Sequence, residues 1–269
     1  MSELKKRVFF ALLAAPLFIA IVFLGGYYFF VSMLLISLIT TWEMVNLFRA
    51  AQVSTDYGLA FLLSLSWMTI PLHQFGSTFV IISILIILVK ETLTPPHGRY
   101  LSILSTVFAA LYPAWGFLSF YEIRTWESDS IGLVLLLVVL IMIWGNDTFA
   151  YFFGKNFGKH KMAPEISPAK TWEGFGGGFL GSLLVLVVFI FYIDLLPYSI
   201  SLLIPLAVIV SVFGPIGDLS ESKIKRFASK KDSSNLLPGH GGFFDRFDSI
   251  ILVSPVIILY LKFIQVMLN

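Results

Sequence analysis

Cysteine is absent from this sequence. That excludes disulfides, thiolate-ligated zinc or iron–sulfur centres and a thiol nucleophile, and it leaves the compartment open. Charge is scarce as well. Only 13% of the 269 residues are Asp, Glu, Lys or Arg, about half the share usual in soluble domains. Histidine is limited to His73, His97, His160 and His240, scattered and without the HExxH spacing of a helical zinc site. Ten-residue segments of alternating polarity are missing too, which argues against an outer-membrane barrel.

What remains is apolar: 58% of the chain is hydrophobic. Runs able to cross roughly 30 Å of hydrocarbon recur along it, at about 8–24, 27–48, 57–74, 77–90, 100–120, 131–153, 174–196, 199–216 and 249–267. Lipid offers no partner for backbone N–H and C=O groups, so such spans are helices. The expected fold is all-α, a polytopic integral membrane protein of about nine transmembrane helices with its long polar loops at one face. The run 77–90 is short, and a re-entrant or strongly buried segment is the alternative there. About five spans fall in an N-terminal region, 1–130. About four fall in a C-terminal region, 131–269, with polar connections at 154–173 and 217–248. Lys5-Lys6-Arg7 and the apolar run to Leu24 could be read as a secretory signal, but no convincing cleavage site follows, so a retained first helix is expected.

Nine spans place alternate loops on opposite sides, and the cations then segregate. One side receives Lys5, Lys6, Arg7, Arg49, Lys90, Arg99, Lys155, Lys159, Lys161, Lys170, Lys223, Lys225, Arg226, Lys230, Lys231 and Arg246. The other keeps Arg124 and Lys262. By the positive-inside rule the rich side is cytoplasmic, with the N-terminus inside and both long polar connections facing the cytoplasm.

Those connections hold the chemistry. In GDLSESKIKRFA, Asp218, Glu221, Ser222 and Lys225 share one helical face. Asp218 sits at the membrane boundary, where a carboxylate requires a partner. In LLPGHGGFFDRFDS, Pro238-Gly239 and Gly241-Gly242 predict a turn whose exposed amides form an anion site at the start of the last helix. Asp245 and Asp248 share a face of that helix. Acidic residues there also suit the helix dipole, but two of them flanking Arg246, with His240 alongside, fit a Mg²⁺ and phosphate site better.

The connection SPAKTWEGFGGG offers Ser167, Lys170, Thr171 and Glu173. It lacks the glycines of a P-loop. Gly174, Gly178 and Ser182, with Gly177 and Gly181, form a small-residue face for close helix packing, either within the chain or in a homodimer. Asp147, in IWGNDTFAYFFGK, points into the bundle as a ligand contact or as the ion-pair partner of a lysine. Glu43, near Trp42 and Arg49, reads as structural.

The segment from Ser222 to Asp248 resembles the signature of the phosphatidate cytidylyltransferase (CDP-diacylglycerol synthase) family. The shared pattern runs Ser222-x-Ile224-Lys225-Arg226, then Lys231-Asp232-x-Ser234, then Leu237-Pro238-x-His240-Gly241-Gly242-Phe243-x-Asp245-Arg246-Phe247-Asp248. NDTFAYFFGK (146–155) and SPAKTWEG (167–174) resemble the family's other motifs, in order. Ala169 departs from the basic residue or glycine often found there, while Lys170 is retained. The first ~130 residues are similar only as hydrophobic helices.

The resemblance implies a nucleotidyltransferase that transfers the cytidylyl group of CTP to phosphatidate, forming CDP-diacylglycerol and pyrophosphate, at the cytoplasmic face of the inner (plasma) membrane, with Mg²⁺ and, in a two-metal site, a second cation. Membrane lipids are the other expected partners, and nucleic acid is not one. Asp218 and Asp245 are then expected to converge on the metal, with Asp248 and Asp147 completing or orienting the site. Lys170, Lys225 and Arg226 would neutralise triphosphate, helped by Ser167 and Thr171, with Glu173 beside them. Arg246, His240 and the Gly241–Gly242 amides would hold phosphate. A CTP-dependent membrane lipid kinase is the near alternative. An ion-coupled transporter is more remote, because most charges lie at helix ends and no inverted repeat is evident. A CDP-alcohol phosphotransferase would need a DG-containing string of spaced aspartates that this sequence lacks.

Overall fold

The structure is a computed structural model describing residues 3–94, 100–192, 196, 198–237 and 239–268. His97, Arg99 and Pro238 lie outside the described residues. The helices are α1 (Glu3–Leu24), α2 (Gly26–Ala50), α3 (Tyr57–Met68), α4 (Gly76–Leu93), α5 (Tyr100–Arg124) and α6 (Asp129–Phe157). A two-stranded hairpin, β1 (Lys161–Ala163) and β2 (Ser167–Thr171), precedes α7 (Trp172–Tyr192), α8 (Ile200–Phe227) and α9 (Phe244–Leu268). Among the described residues seven helices, α2 and α4–α9, are long and apolar enough to cross a membrane. The apolar part of α1, Leu12–Leu24, and α3 are shorter.

The third and fourth runs exchange roles relative to the sequence expectation. At 1.5 Å per residue the 12 residues of α3 cover about 18 Å, short of a bilayer's hydrocarbon core, whereas α4 has 18 residues. The cause is Pro71, which lacks an N–H and disfavours helix in the residue before it. The chain passes through a 3₁₀ turn at Ile70–Leu72 and doubles back. Asp56 caps α3 by accepting from Leu59 N (2.9 Å) and also pairs with Lys90 near the end of α4. Burial pushes the Asp56 carboxyl up, but the bond and charge of Lys90, together with the bonds from the Leu59 and Gly58 amides, hold it below its ordinary value. Ser66 and Ser83 meet across the hairpin at 2.8 Å.

The chain forms two compact units. One comprises Met1–Leu118 with Ile224–Phe247, the other Ser119–Lys223 with Asp248–Asn269. In the first, aromatic side chains fasten the later segment to the early helices. Phe48 packs edge-on against Phe108 and Phe227, and Tyr112 against Phe244.

In the second unit α6 and α7 pack along the small-residue face. A Cβ on Gly181 would lie 2.6 Å from the Gly145 carbonyl, and one on Gly178 would lie 2.9 Å from the Asn146 amide. Gly174 approaches Ala150 in the same way. These positions are therefore filled within the chain. Helix α8 continues through Pro205 and Pro215 to Phe227, so the helical face expected for Asp218, Glu221 and Lys225 extends from a membrane helix.

Candidate active site

Within the second unit, α8 and α9 touch at Gly217. A Cβ there would sit 2.5 Å from the Asp248 carbonyl oxygen and 3.1 Å from Ser249 Cα, so only glycine lets the two backbones meet. The contact sets Asp218 of α8 beside Asp248 of α9. Glu221 follows Asp218 on the same face, one turn on. Asp218, Glu221 and Asp248 each offer a carboxylate oxygen, all within 4.8 Å of one another. Ser222 Oγ donates to Asp218 (3.3 Å) and Ser249 N to Asp248 (2.6 Å).

Lys170, from β2, reaches this group. Its ammonium lies 2.8 Å from Asp218 Oδ2 and donates to the Pro215 carbonyl at 3.1 Å. Asp147 of α6 is near enough to Asp218 and Asp248 for their charges to repel. Carboxylates crowded this way at a membrane boundary gain from a cation that several of them share. The donor set, hard oxygens only, suits Mg²⁺ or a similar ion and not a soft metal.

Beside the acids opens a cavity of about 540 Å³, within the range of small-molecule sites. Lys155, Lys161 and Lys170 line it together with Asp147 and Asp218, while Tyr151, Met162 and Phe175 supply apolar wall. The hairpin that brings in Lys161, Ser167 and Lys170 is anchored to α7. Thr171 Oγ1 accepts from Gly174 N at 3.1 Å, capping that helix. Glu173 accepts from the amides of Lys159 (3.1 Å) and His160 (3.2 Å) and from His160 Nδ1 (2.6 Å). Thr171 also lines the cavity, and the contacts of Glu173 fasten the hairpin's approach.

Asp245 belongs to the first unit, and donors take both its oxygens. Lys225 Nζ is 2.6 Å from Oδ1; Ser233 N, Ser233 Oγ and Gly242 N bond Oδ2 at 2.9, 2.7 and 2.7 Å. Sequence reasoning had grouped this side chain with the metal carboxylates; here it fixes Lys225 and the turn. The turn itself forms as expected, with Gly239 and Gly241 at φ 76° and 78°.

The amides near it are already engaged. That of Gly242 goes to Asp245, and those of Phe243 and Phe244 donate to Glu43 at 3.0 and 2.7 Å. The expected open anion site at the start of α9 thus holds the chain's own carboxylate. Glu43 is fully buried and also accepts from Ser233 Oγ (3.3 Å) and Ser234 Oγ (2.6 Å). Its structural reading from the sequence becomes a specific role, that of a clamp on the signature segment. Arg226 donates to the Lys230 carbonyl at 3.0 Å, and Arg246 is exposed. His240 donates its backbone amide to Leu237 O at 2.8 Å.

Sequence reasoning placed Glu221 on the Asp218 face yet left it out of the metal set, although the three-residue spacing was the signal. It also counted Lys155 and Lys161 only as topology markers. Nothing local in the sequence marks them as cavity residues, because the hairpin that positions Lys161 is not legible in KMAPEISPAKT.

Fold and cavity together define a helical membrane protein with a cation-lined pocket next to clustered carboxylates. The sequence profile of the cytidylyltransferase family matches residues 5–264. The chain is 37% identical over 270 residues to a phosphatidate cytidylyltransferase of Bacillus subtilis, covering 95% of this chain and 96% of the relative. It is 36% identical over 262 residues to the one of Staphylococcus haemolyticus, covering 94% and 97%, and 34% identical over 261 residues to that of Staphylococcus aureus strain COL, again covering 94% and 97%. The chain belongs to the cytidylyltransferase family and is an enzyme of the nucleotidyltransferase class.

Proposed function

We propose that this chain transfers the cytidylyl group of CTP to phosphatidate, yielding CDP-diacylglycerol and pyrophosphate for phospholipid synthesis. The observation that carries the reading is the cavity that sets Lys155, Lys161 and Lys170 against Asp147 and Asp218. Three ammonium groups suit a triphosphate, and neighbouring carboxylates suit the cation that accompanies one. The names of the relatives supply the reaction.

Asp218, Glu221 and Asp248 would hold Mg²⁺, with Asp147 at the edge of the set. Bound there, the ion supplies charge neutralisation at the triphosphate and at the leaving pyrophosphate. Lys170, Lys155 and Lys161, with Ser167, hold the triphosphate. In the first unit, Lys225, oriented by Asp245, together with Arg226, His240 and Arg246, would suit a phosphate group. One phosphate oxygen of phosphatidate forms a bond to the α-phosphorus of CTP, and the bond from that phosphorus to the bridging oxygen of pyrophosphate breaks. Phosphatidate brings an ionised oxygen, so no strong base is required. Positioning and charge stabilisation carry the catalysis.

The site faces the cytoplasm in this reading, in the inner (plasma) membrane with the N-terminus inside. The two cations left on the opposite side by the charge count support it. Lys262 pairs with Glu122 at 2.9 Å and Arg124 with Asp129 at 2.7 Å, all near helix ends. The test is pyrophosphate release by the purified full-length protein with Mg²⁺. Release that requires both CTP and phosphatidate is expected. Release from CTP alone, or none at all, would overturn the assignment.

A further inference from the structure

A second cavity lies wholly in the first unit and has no part in the proposed chemistry. It is an open groove of about 720 Å³ lined by Leu38, Ile39 and Trp42 of α2, Gly58, Phe61, Leu62 and Leu65 of α3, and Leu236. Each helix contributes one face, since Gly58, Phe61, Leu62 and Leu65 follow helical spacing and so do Leu38 and Trp42. The groove opens where α3 is short and carries Gly58 as its second residue, which leaves part of the α2 face uncovered.

Its ends differ. Arg49 continues the Leu38–Trp42 face of α2, eleven residues and about three turns beyond Leu38. Its guanidinium lies 4.6 Å from the centre of the Tyr57 ring, next to Gly58. Arg49 is exposed, and the half-exposed Lys90 pairs with the Asp56 cap one residue before Tyr57. Apolar walls with a net cationic mouth complement an anionic amphiphile. Leu236 ties the groove to the signature segment. Its amide donates to Ser234 Oγ at 3.2 Å, and Ser234 Oγ donates to Glu43, the residue after Trp42. The same clamp therefore fixes two walls of the groove and the loop whose Ser233 holds Asp245, and through it Lys225.

We propose that this groove seats an acyl chain of the phosphatidate substrate, with Arg49 at its mouth meeting the headgroup's negative charge. The inference rests on the function proposed above and gives the lipid a docking place in the first unit.

Phosphatidate carrying a photoactivatable diazirine in its acyl chain tests this on the purified full-length protein. Label is expected on the stretch containing Phe61, Leu62 and Leu65 and on Leu236, displaced by unlabelled phosphatidate and not by phosphatidylcholine. Equal displacement by both lipids, or no label in the groove, would overturn the proposal in favour of bulk lipid or a protein partner.

Kinetics give a second reading. Leu62→Trp fills the groove and is expected to raise KM for long-chain phosphatidate by about tenfold, the effect of losing roughly two buried methylenes. KM for a short-chain, water-soluble phosphatidate and its kcat stay unchanged, and Leu259→Trp, on an exposed part of α9, changes neither. An equal KM change for both chain lengths refutes the groove. Selective labelling in a preparation that forms no CDP-lipid would instead remove the proposed reaction and leave the phosphatidate site standing.

Discussion

Replacing Glu43 by glutamine keeps the side chain's shape and removes its charge at a fully buried position. The carboxylate accepts from Ser233 Oγ, Ser234 Oγ, Phe243 N and Phe244 N. Glutamine retains one acceptor oxygen and turns an N–H₂ toward the remaining donors. Hydrogen bonds to a charged group contribute about 1.5–3 kcal/mol each. Some of that loss is offset because the wild-type charge is itself costly to bury. A net local cost of about 2–4 kcal/mol follows, on the scale of losing one or two such bonds. Hydrogen exchange of the Phe243 and Phe244 amides, measured in detergent or nanodiscs, reads this directly. At 2 kcal/mol the amides should exchange roughly thirtyfold faster, while the α7 amides of the second unit keep their wild-type protection. Wild-type protection of Phe243 and Phe244 in Glu43→Gln would refute the clamp.

Gly181→Ala pushes a methyl toward the Gly145 carbonyl and the Phe149 ring and should cost about 1–3 kcal/mol as overpacking between α6 and α7. A lower thermal midpoint with an unchanged thermal response in Gly176→Ala, where a Cβ meets open space, is the expected pair of results. Asp56→Ala should cost about 1 kcal/mol through the lost α3 cap. The Asp56 carboxyl is held below its ordinary value of 3.8, so folding favours the ionised form. Its contribution is present above that value and disappears as pH falls through the lower folded value. The stability gap between wild type and Asp56→Ala should therefore close in acid, and a constant gap would contradict the assignment. Asp248→Asn should lower turnover by at least about a hundredfold, as when one charge-stabilising group is removed from a transition state, and should raise the Mg²⁺ concentration needed for half-maximal rate. An unaltered Mg²⁺ requirement would exclude Asp248 from the metal set.

Much of this architecture was legible because membrane helices are specified locally. An apolar run must satisfy its own backbone, so the spans appear in the sequence as runs. The exceptions have local causes that hydropathy does not see. Pro71 ends α3 early within an unbroken apolar stretch, while Pro215 fails to end α8. At the site, Asp218, Asp248 and Lys170 could be chosen from charge at the membrane boundary. The role of Glu43 could not, because its partners lie 190 to 201 residues away in sequence. The duties of Asp245 were hidden for a related reason: its spacing to Asp248 implies a shared face, but Lys225, Ser233 and Gly242 claim its oxygens.

CTP labelled at the α-phosphorus, incubated with phosphatidate, Mg²⁺ and the purified protein, tests the central claim most directly. The account predicts label passing into the organic phase as CDP-diacylglycerol, with unlabelled pyrophosphate released in equal amount. Label that stays in the aqueous phase as CDP, with the γ-phosphate moving to the lipid, would identify a kinase and contradict it.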